Sequence, residues 1–209
     1  MLIGLEKKFI FVANTKTASS SIEQLLDPHA EIAIRRTAFG KHMTLAQIES
    51  RFAWIGDHLP FGRFLVFGVI RDPAHFLLSL YNFHTKDGFD GKPLSTKGVA
   101  FEAFVDKALA APTGRVRPQA DRLSNPNGRL RLTHLIRLPD LAAEMRAIGA
   151  FLELDERDLG NRNVSPVVAT VEEFRPDQLE RIREVYAADY ALLANPPRDP
   201  RITALIESD

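Results

Sequence analysis

The chain has 209 residues, 45% of them apolar, enough for one domain with a real core. Lys+Arg and Asp+Glu number 27 each, so no global field draws it to DNA or to an anionic membrane. There is no cysteine, which excludes disulfides, thiolate metal sites and a cysteine nucleophile. The opening stretch MLIGLEKKFIFVANTK does not have the layout of a secretion signal, because Glu6, Lys7 and Lys8 interrupt its apolar run. No window of about 18 apolar residues occurs, so no membrane span is expected and the expected location is cytoplasmic.

Phe9 to Ala13 is a continuous apolar run, the pattern of a strand buried on both faces. Ile22, Leu25 and Leu26 follow at helical spacing until Asp27-Pro28 ends the helix. Ile32 to Ile34 reads as a short strand, and Thr44 as the N-cap of LAQIESRF. Residues 57–62 form a connection, and Phe64 to Ile70 a second buried strand. Asp72-Pro73 is a strong helix start, with Asp as cap and Pro in the first helical position, and the helix runs to about Phe83. Residues 84–100, rich in Gly, Lys, Asp and Pro, form a long loop that is either functional or mobile.

Phe101, Phe104, Val105, Ala108 and Leu109 mark the next helix, and residues 111–128 are irregular and basic. Leu132 to Leu138 predicts a strand, with a helix starting at Pro139-Asp140 that turns Leu141, Met145 and Ile148 inward. A polar connection over 153–173 leads to a final amphipathic helix carrying Leu179, Ile182, Tyr186, Tyr190 and Leu193. The β-α-β-α alternation predicts an α/β fold. It is expected to be a single three-layer domain over residues 1–209, a central parallel sheet flanked by helices.

Two strand-to-helix corners carry the chemistry. The first is KFIFVANTKTASSSIEQLL, residues 8–26, and the second FLVFGVIRDPAHFLLSLY, residues 64–81. In each, a polar turn with one cation joins a buried strand to a helix. Helix N-termini present unpaired N–H groups and a positive dipole end, so both corners suit anions. In the first, Lys16 supplies a point charge, and Thr17, Ala18, Ser19, Ser20 and Ser21 are small enough to let a phosphate approach the backbone. The ATP-type loop G-x-x-x-x-G-K-[ST] is absent, since no Gly lies within ten residues before Lys16. A Ser-rich cap with a solvated lysine would have the same sequence. In the second corner, Arg71 stands at the carboxyl end of a strand, where open α/β sheets bind ligands, and its planar fork suits phosphate. Ser79 lies seven residues after Asp72, on the same helix face. Pairing of Arg71 with Asp72 is the structural alternative.

Together the motifs resemble the PAPS-dependent sulfotransferases, closest to the carbohydrate-type branch and its bacterial relatives. The first corner is similar to that family's 5′-phosphosulfate loop, K-T-G-S-T-S. The second is similar to its 3′-phosphate motif, R-D-P-x-x-R-x-x-S-x-Y, here R-D-P-A-H-F-L-L-S-L-Y. G-K-H-M-T-L at 40–45, P-Q-A-D-R-L-S at 118–124, N-R-N-V-S at 161–165 and Y-A-A-D-Y at 186–190 resemble further family segments in the same order. Three positions depart from the pattern. Thr15 replaces a Pro, Ala18 replaces the Gly after Lys-Thr, and Phe76 replaces the second Arg, for which Arg115, Arg117, Arg122, Arg129 or Arg131 could compensate. Ala18 keeps the cradle unless that position needs positive φ.

The resemblance implies a P-loop-like fold and an enzyme that moves the sulfuryl group of PAPS to a hydroxyl, releasing PAP, with no metal required. It implies Lys16 on the bridging oxygen, residues 17–21 around the 5′-phosphate, and Arg71 and Ser79 on the 3′-phosphate. A base must take the acceptor proton. His42 matches a position where some relatives carry a catalytic His; His84, Glu23 and Glu49 are the alternatives. The acceptor is expected to be a carbohydrate or small metabolite bordered by residues 84–100 and 112–131. The arginines of the second segment would suit an acidic glycan, and a solvated basic loop would look the same. Aromatic interleaving for nucleic acid is missing there. The competing readings are a PAP- or nucleotide-binding module whose catalysis has decayed, and a P-loop-like small-molecule kinase. The kinase reading is weakened by the missing Gly-rich loop.

Overall fold

A computed structural model describes residues 1–35, 40–154 and 166–208. Its strands are β1 (Leu2–Gly4), β2 (Phe9–Val12), β3 (Ile32–Ala33), β4 (Leu65–Ile70) and β5 (His134–Arg137). Its α-helices are α1 (Ser19–Leu26), α2 (Leu45–Arg51), α3 (Ala53–His58), α4 (Pro73–His84) and α5 (Phe101–Ala110) in the first half. They continue as α6 (Ala120–Leu123), α7 (Leu141–Phe151), α8 (Pro176–Val185), α9 (Ala187–Ala194) and α10 (Pro200–Ile206). The chain forms two compact units. One comprises Met1–Ile70, Gln119–Arg162 and Asn195–Asp209; the other comprises Arg71–Pro118 and Asn163–Ala194.

The first unit holds the sheet, in the order β3-β1-β2-β4-β5. β2, β4 and β5 are parallel, with Phe11 opposite Phe67 and Phe67 opposite His134. β1 runs antiparallel to both β2 and β3. The expectation of a wholly parallel sheet is therefore corrected: the fold is α/β with a mixed five-stranded sheet flanked by helices. The parallel run is the part written as long apolar stretches. The antiparallel edge comes from strands of three and two residues, too short to show a period.

Every residue of β2 and β4 is buried, which explains why neither alternates polar with apolar. On one face Phe9, Phe11, Leu65, Phe67 and Ile136 pack against Ile22 and Leu26 of α1, Ile148 of α7 and Ile202 of α10. The Phe11 and Phe67 rings lie 5.2 Å apart. On the other face a Cβ at Gly68 would come within 2.7 Å of the Leu123 side chain, so glycine is what lets α6 lie close to β4.

A charged cluster holds α10 to this unit. His134 is fully buried; its Nε2–H donates to Glu144 Oε2 at 2.7 Å, and its Nδ1 accepts from the Asp199 N–H at 3.1 Å. Glu144 also receives Arg198. Burial raises the Glu144 carboxyl, but the hydrogen bonds from His134 and Arg198 outweigh it and hold the group below its ordinary range. Both nitrogens of His134 are engaged, so its imidazole has no lone pair left to act as a base.

The second unit is helical. Phe76, Leu77 and Tyr81 of α4 pack with Phe101 and Val105 of α5, and with Phe174, Ile182 and Tyr186. Asn82 clips the chain at Ala169, donating to its carbonyl and accepting from its N–H, both at 2.9 Å. The segment 84–100 is tied down: the Tyr81 hydroxyl donates to Val99 O at 2.7 Å, and Thr96 Oγ1 to Tyr81 O at 2.7 Å. The expected single closing helix is two. The break falls at Tyr186, which is fully buried and whose hydroxyl donates to Val116 O. Residues 200–206, read as no element from sequence, form α10.

Candidate functional site

The first corner lies wholly in the first unit. β2 ends at Val12, and the chain turns through Asn14 before α1 begins at Ser19. Asn14 is fully buried. Its Nδ2 donates to Val69 O of β4 and to Gln119 Oε1, each at 3.2 Å, and its Oδ1 accepts the Thr15 N–H at 2.9 Å. The turn is thus pinned to the strand beside it. Sequence reading passed over Asn14 because one amide in a polar turn has no pattern.

Beyond Asn14 the backbone is strained. Lys16 has φ +60° and Ala18 φ +56°, both in the left-handed region that glycine favours. Ala18 therefore does occupy the conformation in which the family's glycine would be easier, at a cost of about 1 kcal/mol. Such strain persists where the surroundings impose it and clusters at ligand clamps. No side chain caps α1, and its first turn contains no acid. Among the flanking hydroxyls, Thr17 Oγ1 donates to Asn14 O at 3.2 Å, so its proton is committed within the turn. Ser20 Oγ accepts Lys41 Nζ at 3.1 Å, which leaves its own proton for another acceptor. Ser19 and Ser21 are buried at the start of the helix.

His42 and Lys41 stand against this turn. His42 Nδ1 lies 2.8 Å from Ala13 O; a carbonyl only accepts, so Nδ1 carries the proton and the lone pair of the neutral ring is on Nε2. Burial pushes the ring pKa down to about 4, helped by the neighbouring Lys41 and Arg122 charges and opposed by the Ala13 hydrogen bond. His42 is therefore neutral at physiological pH. Lys41 pairs with Glu23 Oε2 at 2.7 Å, and Glu23 also meets the Met1 amino nitrogen at 3.1 Å. Glu49 accepts from Asn125 Nδ2 at 2.6 Å and from the Arg129 N–H at 2.9 Å. Burial raises it, but these hydrogen bonds outweigh that and keep it below the ordinary carboxylate range. Both glutamates are thus committed to structural contacts, while His42 keeps the lone pair of Nε2.

The strand of the second corner, β4, is in the first unit, and from Arg71 on the corner belongs to the second. Asp72 caps α4: its Oδ1 accepts from the Ala74 and His75 N–H groups at 2.9 and 3.1 Å. These helix amides already hold a carboxylate. Arg71 is half-buried; burial lowers its pKa and the adjacent Asp72 opposes that. Burial, then the Asp72 charge, push the Tyr190 phenol up to about 12. His84, the other candidate histidine, is buried and its Nε2 receives Arg115 Nη1 at 3.0 Å. A guanidinium only donates, so that nitrogen is taken. Phe76 is fully buried, edge-on to Tyr186 with centroids 6.4 Å apart, so the position of the family's second arginine points into a core.

The basic segment 114–131 divides between the units. Arg115 and Arg117 lie in the second, and Arg122, Arg129 and Arg131 in the first. Arg129 faces Glu49 and Asp57, and Arg131 donates to Pro126 O. The N-R-N-V-S segment lies outside the described residues. A cavity of about 500 Å³ lined by Lys8, Arg63, Phe151 and Arg201 adjoins the amino ends of β2 and β4, away from the turn that leaves the carboxyl end of β2. Among the described residues no helix is long and apolar enough to cross a membrane. Comparison with known proteins finds no matching family model, no matching curated protein and no matching solved structure.

Proposed function

We propose that this chain is a PAPS-dependent sulfotransferase of P-loop-like fold, cytoplasmic, acting on a hydroxyl of a carbohydrate or small metabolite. The observation that supports it best is the first corner: two left-handed residues before an uncapped helix, with Lys16 in the turn and a neutral histidine beside it. That arrangement suits a group that is anionic in the ground state and gains charge in the transition state. The assignment of the 3′-phosphate to Arg71 and Ser79 rests on the sequence resemblance alone.

PAPS, when bound, supplies the sulfuryl group and leaves as PAP. The chain's residues do the rest. Backbone N–H groups of residues 17–21 hold the 5′-phosphate, and Ser20 donates its free proton to it. Lys16 neutralises charge on the bridging oxygen as the sulfur–oxygen bond breaks. His42 Nε2 takes the acceptor's proton as its oxygen bonds to sulfur, while Nδ1–H stays on Ala13 O. A conjugate acid with a pKa of about 4 is a weak base; an anionic donor beside it would oppose the Lys41 and Arg122 charges and so favour proton uptake.

Calorimetric titration with PAP, beside ADP and ATP–Mg²⁺, tests the reading. Micromolar PAP binding that collapses in Arg71→Ala is expected, followed by transfer from PAPS in an acceptor screen. Preference for ATP–Mg²⁺ would turn the assignment to a kinase. PAP binding without any transfer would turn it to a binding module.

A further inference from the structure

We infer that Arg122 is a positioning residue for His42, and that with Gln119 it closes a ring of contacts tying His42 to the turn that carries Lys16. This rests on the function proposed above and says what holds its base.

Arg122 belongs to the first unit, with His42 and the first corner, and is only 7% exposed. Its Nε–H donates to His42 O at 3.4 Å. It stands on α6, a helix of four residues, too short to keep its place unaided. Two contacts place it. Leu123 lies so close to β4 that a Cβ at Gly68 would come within 2.7 Å of it. Gln119, fully buried just before α6, accepts Asn14 Nδ2–H at 3.2 Å through Oε1, and its carbonyl accepts the Arg122 N–H at 3.0 Å.

His42 completes the path. Its Nδ1–H donates to Ala13 O at 2.8 Å, one residue before Asn14. The ring therefore runs from Ala13 through Asn14, Gln119, Arg122 and His42 back to Ala13. Held at its imidazole by Ala13 and at its backbone by Arg122, His42 has Nε2 fixed relative to the turn.

The guanidinium also acts through its charge. Burial does most to lower the His42 pKa; the Lys41, Arg122 and Met1 amino charges lower it further, and the Ala13 hydrogen bond opposes them. Glu23 pairs with both Lys41 and the Met1 amino group. An anionic donor favours proton uptake by the ring, and Arg122 works against that uptake. The ring then stays neutral and able to take the acceptor's proton.

Wild type, Arg122→Met and Arg122→Lys are compared in three measurements. These are NMR titration of the His42 ring, assigned by its loss in His42→Gln; Tm; and kcat and KM for PAPS from about pH 5.5 to 8.5. In Arg122→Met the His42 pKa should rise from about 4. Its kcat should fall about fivefold or more near pH 6 and recover near pH 8.5, with KM for PAPS within about twofold of wild type. Arg122→Lys keeps the charge and moves the donor, so the pKa should stay near that of wild type while kcat falls about threefold at every pH. If Arg122→Met does not fold, Arg122→Gln takes its place in each measurement. A His42 pKa that does not move in the neutral variant overturns the inference, and so does a kcat that is unchanged there or lost equally at every pH. Each of these leaves the sulfotransferase reading standing. A wild type that transfers nothing from PAPS overturns the reading and, with it, the base that Arg122 holds.

Discussion

The two strand-to-helix corners look alike in sequence and differ in what they leave open. At the first, α1 has no side-chain cap and no acid in its first turn, and the backbone before it is left-handed at two residues. At the second, α4 is capped by its own Asp72, which takes two helix N–H groups. A helix start attracts anions only while its amides lack an acceptor. On the function proposed above, the first corner would bind through its backbone with a lysine added. The second would bind through side chains, with Arg71 beside a neighbouring negative charge.

The largest expected effect follows from that difference. Lys16→Met should lower transfer from PAPS by about a hundredfold or more while PAP affinity stays within about tenfold, because the lysine acts where charge develops. The matching change at Arg71 should do the reverse and act mainly on binding. If Lys16→Met lost PAP affinity and rate equally, the two corners would be equivalent ground-state sites.

Stability against pH probes the first corner through His42. Its folded pKa of about 4 lies below the ordinary value of 6.5. As the pH falls from about 6.5 toward 4, the unfolded chain takes a proton and the folded one does not, so stability is lost across that window. His42→Gln keeps a donor for Ala13 O and should flatten the dependence, measured as urea midpoints between pH 7 and 4.5. An unchanged slope would mean that the ring is not buried as described.

Ala18→Gly should stabilise the protein by about 1 kcal/mol, since glycine adopts φ near +56° without a Cβ penalty. Tm should rise by about 2–4 °C for a chain of this length. A fall would show that the left-handed turn is not the resting state. The smallest effect is expected at the second corner. Asp72→Asn keeps the cap and removes the charge beside Arg71, so PAP should bind about threefold tighter at nearly unchanged Tm. Weaker binding would mean that Asp72 positions Arg71.

Much of the scaffold could be read from residues. The apolar runs at 9–13 and 64–70 announce strands buried on both faces, and Thr44 and Asp72-Pro73 cap helices where expected. β1 was not legible, because three terminal residues carry no period and need a partner before they are a strand. The break at Tyr186 was not legible either, because it is a backbone departure at φ −106°, ψ 27° inside an unbroken amphipathic pattern. At the candidate site, residue types and the family resemblance single out Lys16, His42 and Arg71, but not which groups are already committed. That Thr17 donates inward, that Lys41 reaches Ser20, and that His84 is held by Arg115 are long-range contacts without a local signature.

The buried cluster of His134, Glu144, Arg198 and Asp199 bears on the order in which the molecule is assembled. Ile202 completes the core that Phe9 and Phe11 began, and Arg198 neutralises a carboxylate laid down 54 residues earlier. A chain lacking residues 198–206 would leave Glu144 without its Arg198 partner and one flank of the apolar face uncovered. Chains stalled before residue 198 should be protease-sensitive in the first unit, and release of α10 should protect β1 and β2.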